Sequence, residues 1–169
     1  EFFESAYDQF KSSVCAELLT ITRSIDPRAF ELVVIELLRR MGYGTQNIVD
    51  SIRHTGKSGD GGIDGEGVLE INPLLSFKVI FQCKRYQGSV GSKEIRDFRG
   101  AMVGRADKGI FLTTGNFTME SKREAVREGT DPIDLVDGEK LVKMFEKLQL
   151  GLKPRTVYEI DPEFFKEYK

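Results

Sequence analysis

Five of the nine residues from Gly59 to Gly67 are glycine, and the next apolar run ends in Phe81-Gln82-Cys83-Lys84. The first segment reads as a glycine-rich hairpin that carries acidic residues, the second as a strand. Side chains on a strand alternate faces with a period of two. Gln82 and Lys84 therefore emerge on one side together with Ile80, while Phe81 and Cys83 pack on the other. Polar residues bracketed by Val79, Ile80 and Phe81 are out of place on a plainly exposed strand face. The spacing lets both of them face one ligand, beside a carboxylate brought in by the hairpin.

The chain has 169 residues, enough for one domain with short appendages and a substantial core. No apolar run approaches the roughly 20 residues of a membrane span. Cys15 and Cys83 are far apart and form no CxxC, so neither a disulfide framework nor a zinc ribbon is indicated. Both read as small buried hydrophobes in a reducing, cytoplasmic setting. His54 is the sole histidine, which removes schemes that need histidines in combination, such as zinc hydrolases and Ser-His-Asp triads.

The net charge of −2 is uninformative by itself. Between Lys84 and Lys108, however, seven cations stand against three carboxylates, a local excess of four positive charges. A basic segment following an acidic loop suits a polyanion, although a solvated helix face of mixed charge has the same composition.

Apolar spacing predicts a helix over residues 1–24, through Phe3, Phe10, Val14, Leu18 and Ile21. Asp26-Pro27 then caps a second helix that runs to about Met41 and stops at Gly42 or Gly44. Strands are expected over 45–52, 63–71 and 77–86, with a turn-rich loop over 53–62. A helix over 90–103, a strand over 109–114, a helix over 119–128, a strand over 133–136 and a final helix through Leu141, Met144, Phe145 and Leu148 follow. This order implies an α/β fold, a central mixed β-sheet flanked by helices. Residues 1–25 form an N-terminal helical extension or linker, 26–150 the main domain and 151–169 a tail. The tail carries Tyr158, Phe164, Phe165 and Tyr168, and is expected to dock through them or to lead towards another domain.

Five runs, FELVVIELLRRMGYG, SGDGGIDG, FQCKRY, KGIFLTTGNFT and IDLVDGEKL, occur in this order between Phe30 and Leu141. Together they resemble the catalytic domain of Mrr-like restriction endonucleases, of the PD-(D/E)xK nuclease superfamily. The resemblance implies a restriction-endonuclease-like core. It also implies that Asp64, in the Gly-Ile-Asp triplet, binds a metal. Gln82 fills the usual acidic position of a Gln-x-Lys variant, Lys84 is the lysine, and Glu31 matches the glutamate of the first core helix.

The chemistry is consistent with those assignments. Mg²⁺ takes oxygen ligands and retains waters. Asp64 can offer a carboxylate oxygen, Gln82 its amide oxygen and Cys83 its backbone carbonyl, with Mn²⁺ an expected substitute. Lys84 can orient a water and stabilise charge growing on phosphorus. Gln82 leaves the site one negative charge short, which raises the importance of Glu31. On a helical wheel Glu31 is turned away from the solvent face of Arg28, Glu36, Arg39 and Arg40, towards Val34, Ile35 and Leu38. Asp60 reads as a turn former more than a ligand. Arg85, Lys93 and Arg99 are candidate phosphate contacts. Thr113 and Thr114 suit turn or capping roles. Gly56-Lys57-Ser58 lacks the first glycine of a P-loop.

The expected function is Mg²⁺-dependent hydrolysis of DNA in defence against foreign or modified, for instance methylated, DNA. A homo-oligomer would supply two active sites for double-strand cleavage, and a further recognition domain would lie elsewhere. The rivals are a junction-resolving nuclease, a non-catalytic nucleic-acid-binding module of the same fold, and a domain that waits on a regulatory partner.

Overall fold

A computed structural model of the protein describes residues 2–43, 52–54 and 62–168. The first helix, α1, spans Phe2–Ser24. Burial falls on its later turns: Val14, Cys15, Leu18 and Leu19 are half-buried and Thr22 is buried. Phe3, Phe10 and Ile21, expected on the packed face, are 47%, 65% and 51% exposed. Among the described residues the docked stripe is therefore rotated and shortened relative to the one the spacing predicts. Lys11 ties α1 to Glu146 at 2.8 Å.

Helix α2, Pro27–Arg40, begins as its sequence requires. Asp26 Oδ1 accepts from the N–H groups of Arg28 at 2.9 Å and Ala29 at 3.4 Å, and Pro27 occupies the first turn. Phe30, Val34, Ile35, Leu37 and Leu38 are buried along one face. On the other face Glu36 pairs with Arg39 and Arg40.

Among the described residues five strands form the main sheet: β1 Ile52–His54, β2 Gly65–Asn72, β3 Leu75–Lys84, then β5 Lys108–Thr113 and β7 Ile133–Val136. They lie in the order β1-β2-β3-β5-β7. The first two pairings are antiparallel and the last two parallel, so the sheet is mixed. Two further strands, β4 Ser89–Val90 and β6 Asn116–Phe117, pair in parallel as a small second sheet. The remaining helices are α3 Ser92–Met102, α4 Met119–Ala125, α5 Gly138–Lys147 and α6 Pro162–Lys166.

Strand alternation divides the core in two. Val79 and Phe81 of β3 join Ile110, Leu112, α2 and α5 on one face. Ile80 joins Phe111, Ile95, Phe98 and Met102 under α3 on the other. Gly109 lets α3 approach closely, because a Cβ there would stand 2.7 Å from the Phe98 ring.

The strand expected over 45–52 lies, apart from Ile52, outside the described residues, as does Asp60. Helix α3 starts at Ser92 rather than residue 90, because Ser89 and Val90 are taken by the small sheet. Of the two expectations for the tail, docking is not seen on the described residues: Tyr158, Phe164, Phe165 and Tyr168 are all exposed, and α6 buries no residue. Phe164 packs instead on Phe165 and Tyr168, with ring centroids 5.2 and 5.4 Å apart. No helix among the described residues is long and apolar enough to cross a membrane.

Candidate active site

The Gly62-Ile63-Asp64 turn is fixed at each of its residues. Gly62 has a φ of +82°, which disfavours any side chain. It also lies against Gln82 so closely that a Cβ would meet Nε2 at 2.7 Å. Ile63 is buried in the core on the α3 side. The Asp64 N–H donates to the Phe81 carbonyl at 3.0 Å, and Oδ2 accepts from the Cys83 N–H at 2.5 Å. That short, charge-assisted bond sets the carboxylate against the end of β3.

At this strand end Gln82, Cys83 and Lys84 are all half-buried. The N–H and C=O of one strand residue point towards the same edge. The Cys83 carbonyl therefore leaves β3 on the side occupied by Asp64. The Cys83 thiol is pushed well above its ordinary pKa, first by burial, then by the carboxylates of Asp64 and of Glu31. Glu31 is half-buried on α2, between the buried Phe30 and the buried Val34 side of the helix.

Lys84 reaches from the opposite face of β3. Its Nζ lies 3.3 Å from Glu94 Oε1, in the first turn of α3, and 5.3 Å from the centre of the Tyr86 ring. The Glu94 carboxyl is held below its usual pKa, chiefly by its own main-chain N–H and, against the opposing effect of burial, by Lys84. Glu94 and Tyr86 carried no signal in the sequence beyond a charge and an aromatic ring, since their roles depend on the packing of α3 against β3.

Asp64 is thus seated on the main-chain N–H of Cys83 at one end of β3, with the Gln82 carboxamide lying against Gly62. Among the described residues no three His, Cys, Asp or Glu side chains gather as a metal-binding group. The candidate donors are the carboxylates of Asp64 and Glu31, the Gln82 carboxamide and the Cys83 main-chain carbonyl. Hard oxygen donors of this kind fit Mg²⁺ or Mn²⁺.

The three candidate phosphate contacts separate. Arg85 is exposed just beyond Lys84, with Nη1 donating to the Arg23 carbonyl at 2.7 Å. Lys93 is exposed on the first turn of α3. Arg99 is not available to a ligand: it is buried beneath α4, and its guanidinium donates to the carbonyls of Asp131 and Glu124. Its Nε lies 3.5 Å from Glu124 Oε1. One helical turn separates it from the exposed Arg96, a distinction that counting charges along the segment cannot make. Thr113 and Thr114 are buried and structural. Thr113 donates to the Lys84 carbonyl, and the Thr114 hydroxyl bonds both the N–H and the C=O of Tyr86.

Comparison with known proteins agrees with this architecture. Residues 22–145 match the Mrr-type catalytic family model, described as a restriction endonuclease. The chain is 34% identical over 165 residues to the type IV methyl-directed restriction enzyme EcoKMrr of Escherichia coli K12. That alignment covers 96% of this chain but 52% of the relative, so the chain spans about half the length of that enzyme. Among solved structures, the DNA modification-dependent restriction endonuclease AspBHI superposes with a TM-score of 0.64 at 21% identity, over 82% of this chain and 36% of that one. The restriction endonuclease MspJI, solved in complex with a 27-mer oligonucleotide, gives 0.54 at 19% identity over 80% and 31%. These two likenesses establish the fold, and the family match together with the E. coli relative establishes descent: the chain belongs to the Mrr-type restriction endonuclease family.

Proposed function

We propose that this domain is a Mg²⁺-dependent DNA endonuclease acting in restriction of foreign or modified DNA. One observation carries the reading: the Asp64 carboxylate is seated on the main-chain N–H of Cys83, between Gln82 and Lys84 in the chain. A carboxylate, a carboxamide and an ammonium group are thereby collected at one strand end.

Asp64, Glu31, the Gln82 carboxamide oxygen and the Cys83 carbonyl would hold the divalent cation. When bound, Mg²⁺, or Mn²⁺ in its place, polarises a phosphoryl oxygen and acidifies a water. Gln82 contributes no charge, so Glu31 supplies the second negative ligand. Lys84 stands where charge grows as the water oxygen bonds to phosphorus and the bridging P–O bond breaks. The products are a phosphate monoester and a free hydroxyl, and the displaced water proton passes to solvent. A fixed ammonium group in that place contributes on the order of 10²–10³ in rate. Glu94 restrains the lysine so that it points out of the strand rather than sampling solvent.

The E. coli relative is methyl-directed by name, and we extend modified DNA to this chain as its substrate class, met in the cytoplasm. Cutting both strands calls for two active sites, supplied by a homo-oligomer. Incubating the chain with methylated and unmethylated supercoiled plasmid, in Mg²⁺, Mn²⁺ or EDTA, tests these points. Nicking or linearisation with either metal but not with EDTA, faster on methylated plasmid, is expected. Metal-independent cutting, or none on either plasmid, contradicts the reading.

A further inference from the structure

Beside the catalytic lysine, the end of α1 and the residues after β3 enclose a cleft of about 320 Å³ lined by Arg23, Arg85, Tyr86, Gln87 and Gly88. We propose that this cleft binds a backbone phosphate of the DNA strand next to the one being cut, with Arg23 and Arg85 as its two cationic walls. The proposal rests on the nuclease reading above and deepens it by assigning a second phosphate position.

The two arginines are held in place by the chain itself. Arg23 Nε and Nη2 donate to the Thr114 carbonyl at 3.0 and 2.7 Å, and Arg85 Nη1 donates to the Arg23 carbonyl at 2.7 Å. A guanidinium carries five N–H donors, so both keep donors that these bonds do not use. Among the described residues neither arginine forms an ion pair with a carboxylate, whereas the buried Arg99 does. Two adjacent guanidinium groups without a paired carboxylate repel one another until an anion lies between them. Their planar forks match phosphate oxygens.

The floor of the cleft is rigid. Both main-chain groups of Tyr86 are tied to the Thr114 hydroxyl, and the Asn116 N–H donates to the Gly88 carbonyl at 3.1 Å. Gly115 packs so tightly here that a Cβ would fall 2.1 Å from the Gly88 oxygen. The ring of Tyr86 lies under the Lys84 ammonium, so the cleft is contiguous with the catalytic lysine. Arg85 follows Lys84 directly, which puts their Cα atoms about 3.8 Å apart. The cleft therefore lies beside the position proposed for the scissile phosphate, through the shared Tyr86. Arg23 belongs to α1, a helix that the sequence alone offers as an extension, which is why its part in the site was not visible there.

The test is fluorescence anisotropy of the full chain with a labelled duplex oligonucleotide in EDTA, from low to moderate salt, followed by cleavage with Mg²⁺. The exposed Arg85→Gln should weaken binding about five- to tenfold, and the slope of log affinity against log salt should fall by about one. Arg23→Lys, which keeps the charge but loses the fork, should have a smaller effect on the slope than on affinity. Arg155→Gln in the tail should change neither. Thermal melts check that each variant is folded. Unchanged affinity and slope in both cleft variants overturn the proposal alone. Salt-dependent binding by wild type without metal-dependent cutting sinks the nuclease reading alone. A wild-type chain that binds no duplex overturns both.

Discussion

Lys84 and Glu94 stand 3.3 Å apart across the junction of β3 and α3, so the lysine on the strand is steered by the first turn of the helix that follows it. The pair is more than one-third exposed on both sides, and its value lies in orientation more than in stability. The lowered pKa of the Glu94 carboxyl fixes the sign of its pH dependence. Its contribution is present above the unfolded carboxylate value of about 4.3 and is lost as pH falls through the lower folded value. Glu94→Gln should therefore melt below wild type at pH 7, and the gap should close in acid. Paired thermal melts from pH 7 to pH 3 measure it, and a gap that widens in acid would contradict the sign.

Gly62→Ala should slow cleavage while leaving the fold largely intact. The substitution places a Cβ at a φ of +82° and 2.7 Å from Gln82 Nε2. The backbone strain costs about 1–2 kcal/mol, and the carboxamide must give way. A modest fall in melting temperature with a cleavage rate at least tenfold lower is the expected result. Wild-type cleavage would mean that the position of Gln82 is unimportant.

Arg99→Ala should cost about 1–3 kcal/mol of stability, because it strips the Asp131 and Glu124 carbonyls of a buried donor and leaves the Glu124 carboxylate with Arg127 as its remaining partner. Denaturant unfolding measures this loss. Per folded molecule, DNA affinity should be unchanged, in contrast to Arg85→Gln. An Arg99→Ala chain with native stability and weakened binding would restore the phosphate role that burial removes.

Asp26→Ala removes the side-chain acceptor of two N–H groups at the start of α2. The expected loss is about 1 kcal/mol, read as a lower denaturant midpoint with an unchanged slope. Because α2 carries Glu31, a further drop in cleavage would show that the first turn of this helix positions the glutamate.

Much of this was legible in the sequence wherever a local rule decides the outcome. Asp26-Pro27 specifies its cap, Ile133–Val136 its strand, and the period of β3 puts Gln82 and Lys84 on one face with Cys83 on the other. The family motifs pointed to Asp64 and Glu31, and the bond from the Cys83 N–H holds the first of these at the end of β3. What stayed hidden depends on tertiary packing. Ser89–Val90 and Asn116–Phe117 are too short to show any periodicity. Arg99 and Arg96 look alike until α4 covers one of them, and Arg23 enters the site only because α1 folds back onto Thr114. In the aromatic tail, for which composition suggested docking or a lead towards another domain, Phe164 packs on Phe165 and Tyr168.

The most direct measurement is the single-turnover rate of plasmid cleavage in Mg²⁺ for wild type, Asp64→Ala and Lys84→Ala, each confirmed folded by its melting curve. Asp64→Ala should abolish cutting, Lys84→Ala should slow it on the order of 10²–10³-fold, and EDTA should silence the wild type. Metal-dependent cutting at the wild-type rate in both variants would contradict the assignment of the site to the end of β3.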